Sequence, residues 1–428
     1  MKKMLCGVVA GIMVLLAFSA NPGNVFAGEV NLLVDKLVEK DVLTPVDAQI
    51  LLDETQTAVA KEIAEGKSGT LPGWIQTMTF KGDLRLRYQT EEQDTISASS
   101  TTTAKRERAR VRFRLGAEAK VTKDWEVNFG LASGSTDPRS TNQTFQDNFA
   151  SKGIMLDYAY GTYALNNNID IRGGKIELKK TLWLISDLLW DGDINPEGVF
   201  VNGNLVLNSS AELFLNTGYF IIDEVSAGAE PSLFTIQPGV KWDVSEAVTL
   251  KTSINYYAFN SLDGFRYSNI VDGGSTNTTS TTPASFKYDY DSMGFSTELG
   301  MNLQEDAEVD EFINYVSLFG DYIKNSDPAE NNTGYLTGVK FGDKKVKDPN
   351  TWQAKALYRK LEKDAWVDFL PDSDFLGGIT DAKGYELIFN YALAKNVILG
   401  FDYYKSKTDT ASTKKEQDLL QVDLLLKF

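Results

Sequence analysis

The chain has 428 residues, with 43 Lys and Arg against 59 Asp and Glu, one Cys, no His, 18 Tyr and 23 Phe. Without an imidazole no Ser-His-Asp or Cys-His mechanism and no His-ligated metal site can be built, and a net charge of −16 with a pI near 4.7 excludes a general nucleic-acid binder. Pro is sparse and no internal linker shows, so a length that could hold several domains reads as one large body.

Residues 1–27 have the form of a secretory signal peptide: Met1-Lys2-Lys3, an apolar stretch from Leu5 to Phe18, and a small-x-small site at Val25-Phe26-Ala27. The mature chain is expected to begin at Gly28. Cleavage removes Lys2, Lys3 and Cys6, leaving 41 basic and 59 acidic side chains, a net of −18, and no thiol for a disulfide. No later stretch reaches the roughly 18 apolar residues that a membrane helix requires. A large exported chain of this kind is then soluble, or crosses a membrane as a closed barrel, the only spanning form besides a helix that satisfies every backbone polar group.

Residues 28–73 read as helix, turn, helix and linker. Leu32, Leu33 and Leu37 form an apolar stripe; Thr44-Pro45 supplies an N-cap and a first-turn proline, with Asp47 as the capping carboxylate. A second helix through Ile50, Leu51, Leu52 and Val59 ends at Gly66. Such a hairpin is either a trimerising coiled-coil element or a plain N-terminal extension.

Over residues 74–428 the helical period gives way to alternation. Lys81, Asp83, Arg85 and Arg87 interleave with Gly82, Leu84, Leu86 and Tyr88, so one face is charged and the other apolar. The same dyad recurs in Trp125, Val127, Phe129 and Leu131, in Leu213, Leu215, Thr217, Tyr219 and Ile221, and in Met293, Phe295, Leu299 and Met301. Connections alternate between short polar turns and long polar loops, as in transmembrane barrels. Seven short turns and eight long loops, among them 91–103, predict an all-β transmembrane fold, an antiparallel outer-membrane β-barrel of about sixteen strands. Weak edges near Phe312–Ile323 and Gly334–Phe341 leave fourteen or eighteen open. The last strand alternates Leu420, Val422, Leu424, Leu426 and Phe428 with polar positions and ends on an aromatic. It resembles the signal by which the barrel-assembly machinery inserts outer-membrane barrels, with Leu424, Leu426 and Phe428 carrying it.

Lumen-facing residues of a water-filled barrel indicate what passes. Arg106, Arg108, Arg110, Arg112 and Arg114 share one face of the second strand beside Arg85 and Arg87 on the first. At about 2 to 4 kcal/mol per Arg at the bilayer midplane, the ladder must face water or carboxylates. It is either a basic pore wall or a set of stiffening pairs with acids such as Asp83, Glu107 and Glu118. The loop Leu182–Gly198 carries Trp183 and Trp190 with an acidic edge of Asp187, Asp191, Asp193 and Glu197. Its apolar side chains do not suit bulk water, so it is expected to fold inward as a constriction. Asp191-x-Asp193-x-Asn195 has the opening spacing of a calcium loop, but Pro196 stands where the turn Gly is needed and Asn202 where the Glu is needed, so no metal or other cofactor is expected.

Four features in order carry a resemblance: the Leu33-to-Thr44 segment, Gly82-Asp83-Leu84-Arg85-Leu86-Arg87-Tyr88, the Arg-rich second strand, and Leu189-Trp190-Asp191-Gly192-Asp193-Ile194-Asn195-Pro196-Glu197-Gly198. Together the chain resembles the bacterial "putative porin" family of outer-membrane barrels. The resemblance implies passive diffusion of ions and small hydrophilic solutes through a homotrimer embedded in outer-membrane lipid. Outer-membrane barrel enzymes use a catalytic His that is absent here; a barrel sheath or surface anchor for a secreted partner is the alternative.

Overall fold

The computed structural model describes residues 44, 47–50, 52–54, 78–266, 275–281, 284–303 and 312–428. The chain divides into two units, Met1–Gln76 and Thr77–Phe428. The expected signal peptide, first helix and linker lie outside the described residues. In the first unit, Thr44 Oγ1 accepts from Asp47 N at 3.2 Å and donates to Asp47 Oδ2 at 2.6 Å, capping the helical residues that follow.

The second unit is built from β1 (Thr79–Ile96), β2 (Thr101–Lys120), β3 (Trp125–Ser133), the short β4 (Gln143–Thr144), β5 (Ile154–Asn166), β6 (Ile169–Lys175), β7 (Glu197–Asn208), β8 (Ala211–Ile221), β9 (Ser232–Asp243) and β10 (Val248–Asn260). There follow the two-stranded β11 (Thr279–Thr281) and β12 (Ala284–Phe286), then β13 (Ser292–Asn302), β14 (Tyr315–Asn325), β15 (Thr333–Gly342), β16 (Trp352–Leu361), β17 (Ala382–Ala394), β18 (Val397–Thr408) and β19 (Lys414–Lys427). Leaving aside β4, β11 and β12, sixteen strands pair antiparallel with their chain neighbours. β19 returns to β1 from Asp83↔Lys427 to Ile96↔Lys414, so the sheet closes and no edge remains along this seam. Both strands with weak signals, β14 and β15, are present. The segment 91–103 is not a loop: β1 and β2 continue through it to a turn at 97–100, where Ser97 N donates to Ser100 O at 2.9 Å.

Register sorts the faces. Asp83, Arg85, Arg87 and Gln89 lie opposite Arg114, Arg112, Arg110 and Arg108 on β2, while Leu84, Leu86 and Tyr88 lie opposite Phe113, Val111 and Ala109. Of this outward set Leu86 and Phe113, with Trp125, Val127, Phe129, Leu213, Leu215, Tyr219, Phe234, Trp242, Phe295, Leu299 and Phe401, are exposed and form the apolar band that lipid covers.

Inward aromatics are laid flat by glycine. The Tyr158 side chain covers Gly130 and Gly116, Phe200 covers Gly218, Phe214 covers Gly239, and Phe319 covers Gly338; a Cβ on any of these glycines would collide with the aromatic side chain. A ring seated on the neighbouring strand stays out of the lumen and shields bare backbone. On the outer face Phe428 does the same at the seam: it covers Gly82, stacks on Phe113 at 6.4 Å, and exchanges backbone hydrogen bonds with Gly82 at 2.8 and 3.0 Å.

Candidate functional site: the loop-crossed lumen

The loop 176–196, between β6 and β7, folds into the barrel as its apolar content requires. Ile176, Leu182, Leu188, Leu189, Trp190 and Ile194 are buried against inward side chains of β8, β9 and β10 and against a second loop, 362–381, between β16 and β17. Trp366 of that second loop is fully buried, edge-on to Tyr257 at 4.8 Å and Phe259 at 5.2 Å, and 6.4 Å from Trp190. Backbone and side chain stitch the loops together. Trp366 Nε1 donates to Leu189 O at 2.8 Å, Asp191 N to Leu370 O at 2.6 Å, and Ser373 N to Asp191 Oδ2 at 2.8 Å. A third segment joins through buried Asn277, whose Nδ2 donates to Trp366 O at 2.8 Å.

This two-loop body is pinned to the wall on several sides. Trp183 N donates to Gln237 Oε1 on β9 at 2.8 Å, Ser186 bonds Asp321 on β14, Arg359 on β16 reaches Asp187 at 3.1 Å, and Arg87 on β1 reaches Asp374 at 3.0 Å. Gln237 also belongs to a belt of buried and half-buried side chains across the lumen face. Asn202 Nδ2 donates to Asn216 Oδ1 at 2.7 Å, and Asn216, Gln237 and Asn255 each pass an amide hydrogen to the next residue, ending on Ser296, at 2.8 Å. Each buried amide is thereby satisfied by its neighbour. A lumen filled by packed loops leaves no passage for a folded partner, so the sheath alternative is not favoured.

All seven arginines expected as a wall share the inner face. Arg87 grips Asp423 through Nε and Nη2 at 2.7 and 2.8 Å, and Asp423 lies 3.7 Å from Arg85. Asp83 binds both Arg112 at 2.9 Å and Arg114 at 2.8 Å; Glu91 binds Arg108 at 3.2 Å. Arg110 differs: it meets only Gln89 and Ser140, and no carboxylate pairs with it among the described residues. Arg106 is exposed toward the loop end.

The four loop acids part company. Asp193 lies against the wall, 3.5 Å from Arg114 and 3.8 Å from Arg112, and accepts from Thr141 N and Oγ1. Asp187 turns to Arg359 across the lumen, Asp191 clasps the second loop, and Glu197 opens β7 in an exposed pair with Lys175 at 3.0 Å. Of the calcium spacing, Asn195 is committed elsewhere, donating to Asp157 and accepting from Leu178 N, and the three side chains do not converge. Sequence reasoning passed over the second loop, Arg359 and the amide belt. The cluster Trp366-Val367-Asp368-Phe369-Leu370 carries the same signal, apolar residues in a loop, that singled out the first.

Burial and then the neighbouring Asp193 carboxylate push Asp191 up to about 7. Burial also raises Asp193, but the guanidiniums of Arg112, Arg114 and Arg85 outweigh it and hold that carboxyl below the usual range. Burial and then Asp187 lift Asp372 well above it. An unfolded Asp titrates near about 4, so the folded loops hold the Asp191 proton more tightly than the free chain. The stabilisation is complete below about pH 4 and is lost as pH rises through about 7. Single-channel conductance and its noise are expected to rise between about pH 5 and pH 8, and Asp191→Asn to flatten that rise. A profile identical in the two proteins would refute the assignment.

A closed barrel of sixteen antiparallel strands, with an apolar outer band, short turns at one end and loops folded into the lumen, defines an outer-membrane channel of the porin class. The chain belongs to the "Putative porin" family, whose model matches residues 89–323 and 285–428. Among solved structures it is similar to OprB of Pseudomonas putida at high pH, with 11% identity and a TM-score of 0.50 over 82% of this chain and 95% of that one. OmpF of Salmonella typhi in complex with daunomycin gives 10%, 0.44, 82% and 97%, and a triple mutant of the Rhodopseudomonas blastica porin 10%, 0.43, 82% and 100%. At such identities the likeness bears on the fold alone. A comparison with curated proteins returns no match. The protein is a porin of the bacterial outer membrane.

Proposed function

We propose that ions and small hydrophilic solutes diffuse passively past the loop body, in a field set by the arginine wall, with a local preference for anions. The observation that carries this is the imbalance of the wall: seven arginines meet five paired carboxylates, Asp83, Glu91, Asp193, Asp374 and Asp423. Arg110 is left with neutral partners at depth. A guanidinium without a counter-charge in a narrow, low-dielectric passage acts on a passing ion far more strongly than one already neutralised. Replacing Arg110 and Arg112 by Gln is expected to move the reversal potential under a salt gradient toward cations in planar bilayers. Unchanged selectivity would leave the wall as scaffolding only. In the same reading residues 1–27 are removed on export, the strand ending in Leu424, Leu426 and Phe428 is read by the barrel-assembly machinery, and three copies associate in outer-membrane lipid.

A further inference from the structure

At the long-loop end, a cavity of about 680 Å³ opens between the loop 134–153 and the ends of β6, β8, β9 and β10. Its inner surface is apolar, and the ring that reaches it is Phe369, the half-buried residue of the second loop that packs on Phe286 at 6.2 Å; only the margins of the buried Trp190 and Phe259 stand behind it. Its rim is charged and unbalanced, with four acids and two bases. One base, Lys175, is taken up by Glu197 at 3.0 Å, and the other, Arg139, is turned to the carbonyls of Asp368 and Gly378. Asp223 and Glu224 at the start of the next loop have no hydrogen-bond or ion-pair partner among the described residues.

We infer that this cavity is a binding site for a small organic cation that joins a ring to an ammonium group. The Phe369 ring can attract an ammonium through its quadrupole and accept a ring by stacking or edge contact. The two free carboxylates, Asp223 and Glu224, on the same cavity supply the charge that an apolar pocket alone lacks, and they exclude an aromatic anion of the same shape by repulsion. The cavity is large enough to enclose a single-ring solute and open enough to release it, as a station at the outer mouth of a channel must be. Its chemistry is opposite in sign to that of the wall deeper in the lumen, so the two select in series.

The test is calorimetric binding to the purified full chain in detergent, using benzyltrimethylammonium, tetramethylammonium and benzoate. Because it reads occupancy and not current, its result stands apart from whether the lumen conducts. Benzyltrimethylammonium is expected to bind about tenfold tighter than either comparator. Asp223→Asn with Glu224→Gln, on a loop surface and outside the packed loop body, is expected to abolish that margin, as is Phe369→Ala. Equal binding of tetramethylammonium would mean that only charge is sensed, equal binding of benzoate that only the ring is. Either result, or full affinity in the Asp223/Glu224 variant with its folded gel mobility intact, overturns the inference.

Discussion

Replacing Trp366 by alanine is expected to raise single-channel conductance severalfold and to make it noisy, while the barrel keeps its folded gel mobility. The indole is fully buried, touches Tyr257, Phe259 and Trp190, and closes one of the hydrogen bonds that join the two loops. Its removal forfeits about 3 to 5 kcal/mol of packing, and the loss falls on the loop body, because the sixteen-strand ladder is satisfied without it. Loops held by one apolar centre and a few polar pins then leave the lumen part of the time. A Trp366→Phe replacement keeps the ring contacts but not the bond to Leu189 O, and should fall between the two. Conductance unchanged in Trp366→Ala would mean that the wall pins alone hold the loops in place.

How much of this was readable beforehand follows from where the physics is local. Alternation in β1, β3, β8 and β13 is imposed by lipid on one side and water on the other, so the dyad, the strand number and the connection pattern stand in the sequence. Where lipid ends, that imprint ends. Glu91 to Thr95 and Thr101 to Thr103 are polar on both faces because the β1–β2 hairpin rises above the band, and they read as a loop although every residue is paired. The constriction is split in the same way. Trp183 and Trp190 betray an inward loop by composition, but what they meet, Gln237 on β9 and Trp366 more than a hundred residues on, is a matter of tertiary closure. Asp187 and Asp193, six positions apart, turn to different strands, β16 and β2, and no spacing rule separates them.

The same distinction divides the arginines, and it yields the second large effect. Arg87→Gln is expected to destabilise the barrel by about 3 to 5 kcal/mol, read as a lower temperature of conversion from the folded to the unfolded band. Its guanidinium is buried, binds Asp423 bidentately and holds Asp374 of the second loop, so its loss strands Asp374 and leaves Asp423 of the closing strand with only Arg85, at 3.7 Å. Restoring balance in Arg87→Leu with Asp423→Leu should recover only part of the loss, since the pair between the strands is exchanged whole while Asp374 stays without its partner. Arg110→Gln, with neutral partners only, should change stability by about 1 kcal/mol or less and yet shift ion selectivity more per unit of stability lost. Equal destabilisation by Arg87→Gln and Arg110→Gln would erase the difference between a clasp and a field. The contrast follows from register alone: directly opposite residues on adjacent strands differ in role because the next strand, β19, brings Asp423 to one and nothing to the other.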